Sequence, residues 1–384
     1  MIKAAILSLS LLTVMSGAAV SPAVADIVAA FPEAPELLGK MVLTTPSLTI
    51  IPMSLITGII ISRVSRKKLL YTGIALYIVG GFGGGTAHDI NFLLAMRAVL
   101  GAGVGILMPL STGIIADLYS GEEKSRTMGF SSSATNLGAI IATLLAGVLT
   151  SFHWRAAFGV YLLGLPVLYL VAVYIPDNVR RTDDGVGSSI KISDFASYSL
   201  WGLAIFLVMA AFYTIPVNIA LYITQNTLGG AGTAGIVIAV MTASAFVTGL
   251  FFGRLNRVLG RFLPALSCIT FAASFYVLSA FQSLYGIIPA MILGGFSTGT
   301  LVPWIMNGVT AKTGKGAGTS GTAVVSCFLY AGQFFSPVIT GKAAALTTGT
   351  GIADIYLFLS AASAAAAVAA VMISSFKSIY WRSA

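Results

Sequence analysis

Ile61-Ser62-Arg63-Val64-Ser65-Arg66-Lys67-Lys68-Leu69 is a short basic loop set between two long apolar runs. A similar loop returns at Leu255-Asn256-Arg257-Val258-Leu259-Gly260-Arg261-Phe262-Leu263, again between two apolar runs. Outward from the first loop, apolar segments broken by short polar stretches reach both ends of the sequence. They fall at roughly 4–30, 38–62, 69–86, 92–117, 127–151, 155–176, 197–224, 232–253, 262–281, 284–309, 319–345 and 351–376. Each is near or above the ~20 residues a helix needs to cross the hydrocarbon. A bilayer offers no water to backbone N–H and C=O groups, so each segment must satisfy its own. The predicted class is therefore an all-α membrane protein with 12 transmembrane helices.

Composition agrees. The 384 residues are 57% apolar and only 9% charged, with a mean hydropathy of +0.95, whereas soluble domains carry about 25% charged residues. The 42 glycines suit helices that pack closely in lipid, where small residues replace hydrophobic collapse as the packing device. Cys268 and Cys327 lie in apolar runs and read as buried thiols. No Cys/His cluster has metal spacing, so no metal and no cofactor is expected. The segment before Phe31 has two readings, a secretory signal with a small-residue site at Ala23-Val24-Ala25, or an uncleaved first helix. Its apolar character runs longer than a signal core, which favours the helix.

The net charge of +9 has a pattern. With both termini placed in the cytoplasm, 17 of the 21 Lys and Arg fall on the inner side. Lys40, Arg155 and Lys342 fall outside, and Arg97 lies inside a span. This is the positive-inside pattern, and it accounts for the charge without nucleic acid. The longest polar stretch, 177–196, divides the sequence into an N-terminal six-helix bundle (1–176), a cytoplasmic linker and a C-terminal six-helix bundle (197–384). The halves echo one another. Besides the two basic loops, Val99-Leu100-Gly101-Ala102 aligns with Ile292-Leu293-Gly294-Gly295, and Pro109 with Pro303 after a one-residue insertion. In that alignment Arg97 faces Ala290. Parallel internal repeats of this kind build many transporters.

These residues resemble the major facilitator superfamily (MFS) over essentially the whole sequence. Gly58-Ile59-Ile60-Ile61-Ser62-Arg63-Val64-Ser65-Arg66-Lys67 is similar to the family's Gly-x-x-x-Asp-Arg-x-Gly-Arg-Arg/Lys loop, with Ser62 in place of the acid and Ser65 in place of the second Gly. Arg97, Gly101, Gly103 and Gly105 match Arg-x-x-x-Gly-x-Gly-x-Gly in full, and Trp154-Arg155-Ala156-Ala157-Phe158 matches Trp-Arg-x-x-Phe. Proton-driven drug exporters of the family carry Gly-Pro-x-x-Gly-Gly in the fifth span. Here Ala142-Thr143-Leu144-Leu145-Ala146-Gly147 keeps only the last Gly, which leaves the branch and the direction of transport open. The resemblance implies two pseudo-symmetric bundles rocking about a central site, with a small-molecule substrate and protons as the coupling ion.

Individual residues then acquire expected roles. Arg97 is the basic residue inside a span. A charge there is costly and normally has a partner, so it is a candidate coupling or anion site, with a pin to backbone carbonyls as the competing reading. Asp26, near the outer end of the first span, is the candidate proton carrier and partner for Arg97. Arg63, Arg66, Asp117, Arg126 and Arg257 are candidate gating residues at the inner face. Gly101, Gly103, Gly105, Gly147, Gly294, Gly295 and Gly299 are candidate packing positions. The resemblance puts the first, second, fourth and fifth spans of each half around the cavity, which nominates Asn136, Tyr213, Asn218, Tyr222, Trp304, Asn307, Tyr330 and Gln333 as lining. Tyr and Trp offer an apolar face with one polar handle, suited to an uncharged or amphipathic solute.

The leading expectation is a monomeric secondary transporter in a bacterial or archaeal cytoplasmic (inner) membrane, exporting a drug-like compound against protons. Uptake or exchange of an organic anion, with Arg97 as counter-charge, is a second reading. A non-transporting membrane sensor is a third, but no loop or terminus is long enough for a signalling domain. An enzyme is not expected, because no nucleophile with a base appears. No Gly-x-x-x-x-Gly-Lys-Ser/Thr is present for ATP.

Overall fold

The computed structural model describes residues 2–61, 63–175, 192–312, 318–347 and 349–380. Its described residues form helices joined by short turns, and 12 of the helices are long and apolar enough to cross a membrane. We label them α1 (Ile2–Ala30), α2 (Glu36–Ile60), α3 (Arg66–Thr86), α4 (Ile90–Leu118), α5 (Gly121–Thr150), α6 (Trp154–Tyr174), α7 (Ile192–Gln225), α8 (Ala231–Leu250), α9 (Phe252–Ala280), α10 (Leu284–Lys312), α11 (Gly318–Thr347) and α12 (Ile352–Tyr380). Much of the stretch read as a linker, 176–191, lies outside the described residues, and the helix of α7 already begins at Ile192. The stretch 254–261, read as a loop, is instead a short amphipathic helix, Phe252–Leu259. It ends at Gly260, whose φ of +50° lies in the left-handed region that glycine tolerates.

One apolar core draws on residues between Ala5 and Ile175. Two more draw on residues between Ile205 and Leu359, with Val24, Ala25 and Leu43 joining from the first half. The N-terminal segment is built into the first core. Ala5, Ile6, Leu9, Leu12 and Met15 of α1 are fully buried, as an integral helix requires.

Glycines set the wiring of each half. A Cβ on Gly105 would sit 2.7 Å from Met53 Cβ of α2, and one on Gly101 would meet Pro46 Cα at 2.7 Å. Gly103 turns to α3, where a Cβ on it would lie 2.6 Å from the Tyr77 N. In the second half, Gly295 and Gly299 press on Ala245 of α8, and Gly294 on Ser274 of α9. So α4 meets α2 and α3 as α10 meets α8 and α9. This contact pattern corrects the sequence alignment by one residue. Gly101 corresponds to Gly295, Gly105 to Gly299 and Pro109 to Pro303, with no insertion. Arg97 then corresponds to Met291, not Ala290. The same offset pairs Pro22 with Pro216, and Gly138 against α1 with Gly332 against α7.

Candidate functional site

Helix breaks organise the centre of the first half. In α1 the α-helix stops at Ala18, and a 3-10 turn runs over Ser21–Ala23 with Pro22 inside it. The Val20 N–H turns to the Gly17 carbonyl (3.2 Å), so the Ser16 carbonyl loses its helical donor. In α2 the donor for the Val42 carbonyl should be residue 46, which is Pro46 and has no N–H. Two buried carbonyls are thereby freed, and Arg97 takes both. Its Nε donates to Val42 O (2.8 Å), its Nη2 to Ser16 O (2.5 Å) and its Nη1 to Tyr161 Oη (2.5 Å). The Tyr161 hydroxyl itself donates to Ser16 O (2.8 Å). Arg97 is 0% exposed. Burying such a charge costs several kcal/mol, and three charge-assisted hydrogen bonds of about 1.5–3 kcal/mol each offset it.

The expected Arg97–Asp26 pair does not form. Asp26 sits on the short helix Val24–Ala30 with an exposed side chain. The guanidinium is held by carbonyls and a phenol because the helix breaks present those acceptors inside the core, while Asp26 lies beyond the break.

The two halves meet along α1–α7, α2–α11 and α5–α8. Ser21 Oγ donates to the Pro216 carbonyl (2.6 Å), next to the paired prolines. Ser47 Oγ donates to Gln333 Oε1 (2.8 Å), and Gln333 Nε2 approaches Met209 Sδ at 3.8 Å. Tyr330 Oη contacts Met108 Sδ at 2.8 Å. Tyr213 Oη lies 3.7 Å from the Cβ position of Gly17. Gly147 and Gly235 meet almost backbone to backbone, a Cβ on Gly235 lying 3.1 Å from Gly147 Cα and 3.0 Å from Thr143 O. The closure at Ser21–Pro216 and Gly147–Gly235 is on the end that the loop charges assign to the outside.

Three of the nominated lining residues, Tyr213, Tyr330 and Gln333, reach this junction. Others do not. Tyr222 is buried in the second half, donating to Leu278 O (2.7 Å) and packing edge-on against Tyr356. Trp304 packs on Trp201, ring centroids 5.6 Å apart, within the same half. Both were nominated because an all-apolar helix does not reveal which side faces the cavity. Asn218 is buried, its Nδ2 bound to Thr214 O and its Oδ1 without a partner. Asn136 is partly exposed and bonds the Ser132 carbonyl of its own helix, and Asn307 is exposed. Ser21, Ser47, Met108 and Gly235 were not nominated. Met108 lies one helical turn after Gly105, and no comparable sequence signal marks Ser21, Ser47 or Gly235.

At the inner face, Arg66 and Asp117 form a largely buried ion pair between α3 and α4, within the first half. Lys3 pairs with Glu123 (2.6 Å) and lies over the Tyr119 ring. Arg63 and Arg257 are exposed, and Arg126 stacks over Phe130. No group of three metal-ligating side chains occurs among the described residues.

Residues 6–337 match the family model of the Major Facilitator Superfamily. Quinolone resistance protein NorA of Staphylococcus aureus (strain MSSA476) is 23% identical over 309 residues, covering 74% of this chain and 75% of that protein. Multidrug resistance protein 3 of Bacillus subtilis (strain 168) is 28% identical over 112 residues, 28% of this chain and 22% of that protein. The nucleoside transporter NupG superposes with a TM-score of 0.80 at 12% identity, covering 97% of this chain and 98% of that one. A bacterial homolog of the human lysosomal transporter Spinster, solved inward-facing and occupied, superposes with a TM-score of 0.76 at 14% identity, covering 99% and 96%. The chain is an integral, multi-pass membrane protein with the fold of a transporter, not an enzyme, and it belongs to the Major Facilitator Superfamily.

Proposed function

We propose that this protein exports a drug-like, amphipathic compound in exchange for protons, by rocking its two six-helix halves about the junction. The observation that carries the reading is the chemistry of that junction. Tyr330 meets Met108 there, Gln333 meets Ser47 and Met209, and Tyr213 lies against Gly17. Phenols, an amide, a hydroxyl and thioethers contact apolar and weakly polar surfaces, and thioethers adapt their shape to different ligands. The similarity to a quinolone resistance protein and a multidrug resistance protein supports the same substrate class.

Organic-anion exchange is disfavoured by the placement of Arg97, which is fully buried in the first half with its donors directed at Val42, Ser16 and Tyr161. Asp26 remains the proposed proton site, acting from the exposed rim rather than through Arg97. A thermal-shift comparison of purified wild type and Tyr330→Ala tests the site. Planar amphipathic compounds should raise the melting temperature of wild type and lose most of that effect in Tyr330→Ala. Stabilisation by small carboxylates instead, unaffected by Tyr330→Ala, would favour the anion reading.

A further inference from the structure

Only three basic residues fall on the face assigned to the outside, and two of them line one cavity. Lys40 of α2 and Lys342 of α11 border a space of about 240 Å³, together with Leu37, Asn218, Thr340 and Thr350. Charge of this sign is depleted from that side of a membrane protein, so its convergence on a single cavity asks for a reason. Lys342 is exposed, and no ion pair engages its ammonium among the described residues. Lys40 is largely buried and gives one donor to Glu36 (2.6 Å), leaving two. The nearby acid on the other side, Asp354, caps the start of α12 by accepting from the Gly351 N–H (3.0 Å). Asn218 adds the opposite demand. Its amide Nδ2 is committed to Thr214 O, and its buried Oδ1 is an acceptor with no donor.

We propose that this cavity binds an oxyanion that carries a neighbouring hydroxyl, of the glycerol phosphate type. The two ammonium groups take the phosphate, and Asn218, whose Oδ1 is shut off from the cavity as it stands, rotates to offer that oxygen to the hydroxyl. The volume is below the ~300–1,000 Å³ of drug-sized pockets, so it suits a headgroup or small organic phosphate rather than the transported compound. Leu37 and Lys40 come from the first half and the remaining lining from the second. A ligand held by both halves binds the closed outer end better than an open one and shifts the population toward it. The same chemistry is available from a phosphatidylglycerol headgroup in the bilayer or from a free organic phosphate.

The test is thermal unfolding of purified wild type, Lys342→Gln, Lys40→Gln and Asn218→Leu. Each is titrated with glycerol phosphate and with inorganic phosphate, and compared in nanodiscs of phosphatidylcholine with and without phosphatidylglycerol. Lys342 is exposed, so Lys342→Gln is expected to fold. Wild type should be stabilised, with the half-maximal concentration about tenfold higher in Lys342→Gln, the loss of one charged hydrogen bond. Stabilisation by phosphatidylglycerol alone identifies lipid as the source, and by glycerol phosphate alone a free anion. Asn218→Leu should respond equally to glycerol phosphate and inorganic phosphate. Absence of stabilisation in wild type, or equal stabilisation in wild type and both lysine variants, overturns the proposal. A persistent preference for glycerol phosphate in Asn218→Leu overturns the assignment of the hydroxyl.

Discussion

Replacing Arg97 by Met, the residue at the matching position of the second half, isolates what the guanidinium contributes. Ser16 O keeps the Tyr161 hydroxyl as donor (2.8 Å), but Val42 O is left with none. An orphaned buried acceptor costs about 1–3 kcal/mol. The cause of that orphan is Pro46, so Pro46→Ala supplies an N–H four residues after Val42, in helical reach of its carbonyl. The double variant Arg97→Met/Pro46→Ala should therefore recover about 1 kcal/mol relative to Arg97→Met. Pro46→Ala alone should change little, because the carbonyl has a second lone pair for the new donor. The assay is a double-mutant cycle on thermal unfolding of the purified protein, followed by tryptophan fluorescence. Effects that add to within about 0.5 kcal/mol mean the two sites are independent. That result would refute the assignment of Arg97 as the partner of a carbonyl freed by proline.

Further outcomes follow from the junction and the rim. Gly235→Val places side-chain atoms against Gly147 Cα and Thr143 O, so the outer end should fail to close. Transport should be lost while the protein still purifies in folded form, and wild-type rates in vesicles would contradict the closure. Tyr161→Phe removes the acceptor of Arg97 Nη1 and a donor to Ser16 O, and should lower stability by about 1.5–3 kcal/mol in the same unfolding assay. Ser47→Ala removes the hydrogen bond to Gln333 Oε1 between α2 and α11. It should change turnover more than stability, measured as the rate of dye transport against melting temperature. Asp26→Asn should abolish acceleration by a proton gradient while leaving downhill substrate flux, and unchanged acceleration would remove Asp26 from coupling.

The fold was legible because membrane helices announce themselves by length and apolarity, and because lysine and arginine are sorted between the two faces. Gly101, Gly103 and Gly105 were legible as packing residues, since a row of glycines in lipid has few other uses. The partners of Arg97 were not. Carbonyl oxygens carry no residue identity, and a reading that matches charge with charge looks to Asp26 first. Pro46, four residues beyond Val42, and Pro22, just past Ser16, were the available signal. Tyr222 was misassigned and Ser47 and Met108 were missed for one reason. In a helix apolar on every side, periodicity does not separate the lipid, core and cavity faces. The repeat alignment slipped by one residue because two adjacent glycines, Gly294 and Gly295, fit the motif equally well until their neighbours in space distinguished them.

The central claim, proton-coupled export, is tested most directly in proteoliposomes holding the purified protein. An imposed pH gradient should drive a fluorescent amphipathic cation or neutral dye across the membrane against its own gradient. A protonophore should stop it, and Tyr330→Ala should slow it. Dye movement that only runs downhill, at a rate indifferent to the pH gradient and the protonophore, would contradict the account.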